Sequence, residues 1–291
     1  MNDVMAQRPA EPVSGAFVPR LFSAIVLAVL ALWATHVGGA AFYGIVAAGA
    51  VLLAWEWNRL CGAGAAFPVP MAVTMVALLA IVVLVAFGDR RWLPAAFGVG
   101  IAAVFLAGVG DRFGARDEGV GRDWYPAWAV GGFVYIALVG LALVHLRTAG
   151  DGGRATVYWL FACVWMSDSG AYAVGRLIGG PKLAPRISPK KTWAGFIGGT
   201  LLSGMAGAVV GGLFEAASWG SLAVASMGVA VISQMGDLFE SGVKRHFNVK
   251  DSGTLIPGHG GLLDRVDGLM AASIAVWAAD LIGGRSVLEW F

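Results

Sequence analysis

Nine runs of about 20 mostly apolar residues constrain the fold of this chain more than any other feature of its sequence. A helix of about 20 apolar residues is long enough to cross the hydrocarbon core of a bilayer. Only 13% of the residues are charged, whereas a typical soluble domain carries about 25%. The sequence therefore predicts an all-α, polytopic integral membrane protein with about nine transmembrane helices. The predicted helices are 20–36, 40–58, 70–88, 92–110, 125–146, 155–176, 193–214, 218–239 and 267–284.

The distribution of polar residues divides the chain into three regions. Residues 1–19 are polar and contain three prolines, which predicts a disordered tail on the cytoplasmic side. Residues 20–150 are predicted to form N-terminal transmembrane helices with few distinctive side chains. Glu56 is an exception, and we expect it to reach the membrane surface or to pair with Arg59. Residues 151–291 hold nearly all the other unusual polar residues and are predicted to form a C-terminal catalytic transmembrane region.

Lysine and arginine are distributed unevenly between the two sides that nine crossings would define. Fifteen of the 20 fall on the side of the N-terminus, and five fall on the other side. Because basic residues accumulate in the cytoplasmic loops of membrane proteins, we expect a multi-pass protein of the cell (inner or plasma) membrane with a cytoplasmic N-terminus. The five residues on the outer side are Arg90, Arg91, Arg147, Arg154 and Arg285.

Two pairs of glycines in the seventh predicted helix are spaced four residues apart, Gly195 with Gly199 and Gly207 with Gly211. This spacing puts small residues on one helix face and lets a neighbouring helix approach closely. The chain contains 43 glycines, so chance explains any single pair about as well. Two cysteines are too few for a disulfide framework.

Four aspartates are predicted to converge on the cytoplasmic leaflet. Asp264 and Asp267 are three residues apart, which places both carboxylates on one face at the start of the ninth helix. A solvated first turn, with Asp264 as a helix cap, explains that spacing equally well. Asp168 and Asp237 lie within predicted helices, where a carboxylate usually faces a cavity, a base or a metal ion. Oxygen ligands suit Mg²⁺, and His259 alone does not make a zinc site.

The stretch ISPKKTWAG supplies cations next to these acids. Ser188 is predicted to cap the seventh helix, with Pro189 in its first helical position. Lys190 and Lys191 would then lie at a helix N-terminus, where free backbone N–H groups attract anions.

A second polar stretch, ESGVKRHFNVKDSGTLIPGHGGLLDRV, contains further cations and glycines. Lys244, Arg245 and Lys250 are the cations, and Gly260 and Gly261 would let the backbone approach a ligand. Basic residues at a membrane surface often contact only lipid headgroups. Beside a cluster of acids they indicate phosphate binding, and the combination predicts phosphoryl or nucleotidyl transfer.

The stretch from Ser241 to Gly268, SGVKRHFNVKDSGTLIPGHGGLLDRVDG, resembles the signature of the phosphatidate cytidylyltransferases, or CDP-diacylglycerol synthases. SDSGAYAVGRLIG, ISPKKTWAGFIGG and SQMGDLFES resemble three further blocks of that family in the same order. The specific resemblance covers about residues 165–270, and residues 20–150 match only as hydrophobic helices. It implies that CTP and phosphatidic acid react to give CDP-diacylglycerol and pyrophosphate.

The resemblance also implies a Mg²⁺ cofactor held by Asp237, Asp264 and Asp267. We expect Asp168 to hold a second cation of unspecified identity or to order a lysine and Tyr172. Lys190, Lys191, Lys244 and Arg245 are expected to bind the pyrophosphate or the lipid phosphate. His259 could orient the backbone or carry a proton. The other residues expected at the site are Arg265 among the catalytic groups and Ser188, Thr192, Lys250, Asp251, Gly260 and Gly261 among those that bind substrate.

Three other functions compete with this interpretation. An ion-coupled transporter would use the acids as ion sites, but it would place its charges near the middle of the membrane. A CTP-dependent lipid kinase would transfer the γ-phosphate to a lipid alcohol instead. A scaffold has no need for an acid cluster in an apolar chain. The expected partners are CTP, phosphatidic acid and membrane lipid, without nucleic acid, and a homo-oligomer remains open.

Overall fold

Long helices account for almost all of the computed structural model, as the sequence predicts. The structure describes residues 13–62, 68–114, 125–150, 152–213, 218–256, 260–284 and 288. The helices are α1 (Val13–Val37), α2 (Gly39–Cys61), α3 (Pro68–Phe87), α4 (Leu93–Gly114), α5 (Tyr125–Thr148), α6 (Gly153–Leu177), α7 (Trp193–Leu213), α8 (Trp219–His246) and α9 (Leu263–Gly283). A 3₁₀ turn, Arg90–Trp92, joins α3 to α4. The fold class is therefore that of an all-α, multi-pass membrane protein.

Seven helices in the described part of the chain are long and apolar enough to cross a bilayer. They are α2, α3, α4 with the preceding turn, α5, α7, α8 and α9. In α1 the apolar part is the shorter stretch Phe22–Val37. α6 is 25 residues long, but it carries Arg154, Asp168 and Arg176 and is not among the seven. Nine crossings therefore remain a prediction.

α7 begins at Trp193, as the predicted range 193–214 has it, but the cap predicted at Ser188 is wrong. Ser188 does not cap a helix, because residues Ser188–Thr192 form a strand, β2, that pairs antiparallel with β1 (Lys182–Ala184). Pro189 consequently lies in this strand, where its fixed φ is also tolerated. The cap is Thr192, whose hydroxyl accepts the N–H of Gly195 at 3.1 Å. Lys190 and Lys191 are therefore presented by a hairpin.

Two helix boundaries differ from the prediction and affect the site. α8 continues to His246, so Lys244 and Arg245 belong to its last turn. It ends where Asn248 adopts a φ of 56°, and the N–H of Val249 returns to the carbonyl of Lys244 at 2.9 Å. α9 begins at Leu263, so both Asp264 and Asp267 lie within its first two turns.

Glycines set the spacing between the helices of the C-terminal half. A Cβ on Gly199 of α7 would lie 2.5 Å from the carbonyl oxygen of Ser167 in α6, and one on Gly195 would lie 2.7 Å from that of Ala171. Further along α7, Gly207 meets Ser226 of α8. The glycines of α7 therefore pack closely against α6 at one end and against α8 at the other, as their spacing predicts.

A similar close contact joins α8 to α9. A Cβ on Gly236 would lie 2.9 Å from the carbonyl oxygen of Asp267, and Gly268 packs against Ser233. Asp237 and Asp267 are the immediate neighbours of these two glycines in the sequence. The helix crossing therefore brings the two carboxylates to the same level of the membrane.

α5 joins the N-terminal helices to the C-terminal half, since it contacts α2, α3, α4, α6 and α9. Its Phe133 is fully buried, and the indole of Trp57 in α2 donates to the carbonyl of Trp128 in α5 at 2.8 Å. These contacts place the end of α2 beside the start of α9.

We predict that Gly199→Ala destabilises the fold whereas Gly212→Ala does not. At position 199 the methyl group meets a backbone oxygen, and overpacking of this kind costs about 1–3 kcal/mol. At Gly212, on the same helix, a methyl group meets nothing within 4 Å. Because Cys61 and Cys163 are both buried, a thiol-reactive fluorescent dye reports thermal unfolding of the purified protein in detergent. Equal midpoints for the two variants would contradict the proposed close contact.

Candidate active site

A cavity of about 660 Å³ opens where the hairpin meets the ends of α6, α7, α8 and α9. Five of the lining side chains are acidic and five are basic. The acidic residues are Asp168, Asp237, Asp251, Asp264 and Asp267, and the basic residues are Arg176, Lys190, Lys191, Lys244 and Arg265. The wall therefore carries no net formal charge, although it is densely charged for an apolar chain.

Most of the residues predicted for the site line this cavity. They are the four predicted metal ligands together with Lys190, Lys191, Thr192, Lys244, Asp251 and Arg265. Ser188, Arg245, Lys250, Gly260 and Gly261 are not part of its lining, and His259 lies outside the described residues. Tyr172, which was expected near Asp168, also lines the cavity, and the lining residues that the prediction omitted include Arg176 and Gln234. Tyr172 and Arg176 lie in the stretch SDSGAYAVGRLIG, where Tyr172 accepts a hydrogen bond from Arg176 at 2.8 Å.

Lys244 is the centre of a buried charge cluster. Its Nζ lies 2.5 Å from Glu240 Oε2 and 2.6 Å from Asp264 Oδ1. The side chains of Lys244, Glu240 and Asp264 are 11%, 3% and 7% exposed. Glu240 was not predicted, although its spacing of four residues from Lys244 on a helix could have indicated the pair. One ammonium group therefore links α8 to α9 and neutralises two carboxylates in part.

Asp264 has protein donors on both carboxylate oxygens. Oδ1 faces Lys244, and Oδ2 accepts the backbone N–H groups of Ser252 at 3.0 Å and Gly261 at 2.9 Å. The hydroxyl of Ser252 lies 3.1 Å from the same oxygen. Asp264 therefore holds Ser252 and Gly261 against the first turn of α9, and both of its oxygens are already bonded to protein donors.

Asp237 is paired across the cavity. Its Oδ2 lies 2.5 Å from Nζ of Lys191, and its Oδ1 lies 3.3 Å from the hydroxyl of Ser241. The Lys191 and Asp237 side chains are 25% and 34% exposed, whereas the Nζ atom of Lys191 itself is buried. The pair holds strand β2 against α8 and presents one cation and one anion to the cavity.

Arg245 also joins the hairpin to α8, but from outside the cavity. Its Nε lies 3.3 Å from the carbonyl oxygen of Ile187, in the hairpin turn, and its guanidinium also donates to Val249 at 3.1 Å. This geometry makes Arg245 a clamp between the hairpin and the end of α8. Its expected contact with substrate phosphate remains a prediction.

Glu56 does not pair with Arg59, so this part of the sequence interpretation is wrong. Arg59 lies over the ring of Trp55, 4.6 Å from its centroid. Glu56 is 0% exposed and accepts hydrogen bonds from the start of α9. The structure thus adds a residue from the N-terminal half to the surroundings of the cavity.

The acidic side of the cavity has the donor chemistry of a magnesium site. Asp168, Asp237 and Asp267 line the same cavity, and all three are oxygen donors of the kind that Mg²⁺ prefers. In the arrangement described, no three acidic, histidine or cysteine side chains of the described residues are close enough to hold a metal ion. Asp237, for example, is engaged with Lys191. The residue types suit a hard divalent cation, but their spacing in this arrangement does not form a site for one.

Comparison with known proteins gives a consistent result. The model of the Cytidylyltransferase family matches residues 18–281 of the chain. A phosphatidate cytidylyltransferase of Brucella suis is 38% identical over 259 residues, which is 89% of this chain and 91% of the relative. The corresponding protein of Brucella abortus gives the same values. One from Staphylococcus saprophyticus is 44% identical over 136 residues, covering 46% of this chain and 52% of the relative.

We predict that Lys244→Met lowers the thermal stability strongly. The substitution keeps the apolar stem but leaves Glu240 and Asp264 buried together without a cation, and breaking a buried pair in this way costs about 3–5 kcal/mol. Adding Glu240→Gln to the same chain removes one of the two uncompensated charges and should restore part of the loss. The midpoint of dye-detected unfolding measures both effects.

The control for this experiment is Lys250→Met, which removes an exposed lysine six residues away and should leave the midpoint unchanged. If Lys244→Met were as stable as Lys250→Met, the buried cluster would not hold α8 and α9 together.

Proposed function

The chain belongs to the cytidylyltransferase family, and from that premise we propose that it transfers the cytidylyl group of CTP to phosphatidic acid, releasing pyrophosphate and forming CDP-diacylglycerol. The observation that carries the proposal is the cavity, which combines five basic and five acidic side chains at the ends of membrane-spanning helices. Such a position lets a water-soluble nucleotide and a membrane lipid bring their phosphates together.

The charge balance of the cavity explains why an added cation is expected. A nucleoside triphosphate and a phosphomonoester lipid are both strongly anionic, and a wall without net charge does not compensate them. We infer that Asp237 and Asp267, with Asp168 beside them, are the residues that would hold Mg²⁺. When bound, Mg²⁺ would neutralise charge on the nucleotide phosphates as the reaction proceeds. Asp168 is also the candidate for a second cation.

The reaction itself requires positioning more than proton transfer. A phosphate oxygen of phosphatidic acid forms a bond to the α-phosphorus of CTP, and the bond from that phosphorus to the bridging oxygen of the β-phosphate breaks. The electron pair leaves with pyrophosphate. Because the attacking phosphate is already ionised, no strong general base is needed.

The basic residues have two separate tasks in this scheme. Strand β2 presents Lys190 and Lys191 to the cavity, where they can bind the substrate phosphates. Lys244 is fixed between two carboxylates and stabilises the arrangement of α8 and α9. Arg176 and Arg265 are the remaining lining cations, and each can contribute a charge-assisted hydrogen bond to phosphate.

We further propose that the cavity opens to the cytoplasm, where CTP is found. The hairpin and the 247–262 connection meet at the same end of the helices, because Arg245 bonds to Ile187 and Asp264 bonds to Ser252. With nine crossings, both connections fall on the side that holds 15 of the 20 basic residues. The protein would thus be a multi-pass protein of the cell membrane with its active site inside.

We predict that incubation with phosphatidic acid and CTP labelled at the α-phosphate transfers the label to lipid, whereas label at the γ-phosphate appears in pyrophosphate. A CTP-dependent lipid kinase would give the opposite result, with γ-label in lipid. A transporter would transfer neither label. The measurement uses the purified full-length protein in mixed micelles with Mg²⁺, and lipid extraction separates the products.

A matched pair of variants assigns the activity to the cavity. Asp237→Asn removes a carboxylate from the wall and should lower the rate at least about 100-fold, as loss of a group that organises phosphoryl chemistry does. Asp89→Asn changes an exposed aspartate beside Arg91, away from the cavity, and should keep the rate of the original protein. Equal rates for the two variants would place the chemistry elsewhere.

A further inference from the structure

Glu56 makes an unusual set of contacts for a glutamate in a membrane helix. It is fully buried near the end of α2, and its Oε1 accepts the N–H of Leu262 at 2.7 Å. Oε2 accepts the N–H of Leu263, also at 2.7 Å, and lies 3.3 Å from the hydroxyl of Ser252. The donors are about 200 residues away in sequence, so these bonds join the two halves of the chain.

These bonds meet a requirement of α9 that its own sequence does not meet. The first N–H groups of a helix have no partner within the helix, and a side chain usually caps them. The residue in the capping position is Leu262, whose side chain cannot accept a hydrogen bond, and no side-chain cap is formed there. Glu56 takes over this task, and its negative charge is favoured by the helix dipole.

The neighbouring glycines leave the space for this carboxylate. A Cβ on Gly261 would lie 2.8 Å from both oxygens of Glu56 and would also collide with Ser252 Oγ. A Cβ on Gly253 would lie 3.2 Å from Glu56 Oε1. The two glycines thus shape a pocket that encloses the end of the glutamate side chain.

The same turn of α9 carries the cavity residues. Asp264 directly follows Leu263, and its Oδ2 accepts the N–H of Gly261, which directly precedes Leu262. Ser252 Oγ lies within reach of both carboxylates, 3.3 Å from Glu56 and 3.1 Å from Asp264. The Ser252 hydroxyl has one proton, so it can donate a hydrogen bond to only one of the two carboxylates at a time. Any tilt of this turn would move Asp264 and Asp267 relative to Lys244.

We propose that Glu56 is a positioning residue of the active site, which fixes the first turn of α9 and thereby the placement of Asp264, Arg265 and Asp267. Glu56 does not line the cavity, so it acts through α9 and not on the substrate. A merely structural glutamate would affect stability alone. A positioning residue also affects kcat, because displacement of reacting groups by about 1 Å can lower a rate up to about 100-fold.

The test compares Glu56→Gln and Glu56→Asp with Asn58→Ala. Glutamine keeps the volume but replaces one acceptor with an NH₂ group, and aspartate keeps the charge but is too short to reach both N–H groups. Asn58 is buried two residues along the same helix and bonds to Tyr125 of α5 at 2.9 Å, away from α9. All three variants should unfold at lower temperature than the original protein.

Only the Glu56 variants should lose turnover when assayed well below their midpoints. We expect kcat to fall roughly 10- to 100-fold, with KM for CTP and for phosphatidic acid changed less than about threefold. Hydrogen exchange at the amides of Leu262 and Leu263 should accelerate in the Glu56 variants and not in Asn58→Ala. A folded Glu56→Gln with unchanged kcat overturns the proposal. So does failure of both Glu56 variants to fold, because the residue would then serve folding itself.

The kinetic part of this inference rests on the proposed function, and the two can fail separately. If the original protein forms no CDP-diacylglycerol, the proposed function is wrong whatever the variants do. The exchange rates of the α9 amides would still show whether Glu56 fixes this turn, since that measurement requires no substrate.

Discussion

The need to satisfy buried charges and backbone N–H groups away from water determines how the catalytic half of this protein is assembled. Each unpaired group of this kind costs several kcal/mol in a membrane. Lys244 forms ion pairs with the buried carboxylates of Glu240 and Asp264. Asp264 in turn accepts hydrogen bonds from the backbone N–H groups of Ser252 and Gly261. Glu56 accepts the backbone N–H groups at the start of α9. These bonds form one connected network from α2 through the 252–263 segment to α8.

This network separates the groups that build the cavity from those that can act in it. Asp264 and Lys244 are buried and bonded to each other, whereas Lys190 is exposed and Asp237 and Lys191 are partly exposed. We expect the buried, bonded groups to maintain the shape of the cavity and the hairpin lysines to contact the substrate phosphates, because the reaction requires two phosphates to be held in line.

Much of the architecture could be predicted because its signals are local in the sequence. Hydrophobic runs identify the helices, and glycine spacing identifies the tight contacts of α7. The motif between residues 241 and 268 identifies the family together with Asp264 and Asp267, whereas Asp168 and Asp237 are identified by their position inside apolar helices. The predicted cap of α7 was wrong, because Ser188 and Pro189 fit the start of a helix and a proline is also tolerated in an edge strand. Strand pairing with residues 182–184, which the helix signals do not reveal, decides between the two.

The role of Glu56 could not be predicted from local patterns. A glutamate three residues before Arg59 indicates a surface pair, and nothing near it in the sequence identifies donors that lie more than 200 residues away. The hydrogen-bond partners of Asp264 could not be predicted for the same reason. Its spacing from Asp267 is compatible with a metal site or a cap, and only the structure shows that Lys244, Ser252 and Gly261 donate to its two oxygens.

The central claim is that the phosphate-binding residues converge on a single membrane face that is open to the cytoplasm. Labelling with a membrane-impermeant thiol reagent tests it most directly, because the two native cysteines are buried. Lys182→Cys, in the hairpin, and Arg90→Cys, between α3 and α4, are exposed positions on the two proposed sides. In intact cells Arg90→Cys should be labelled, and Lys182→Cys should be labelled only after permeabilisation. Labelling of Lys182→Cys in intact cells would place the cavity outside, separate it from CTP and contradict the account.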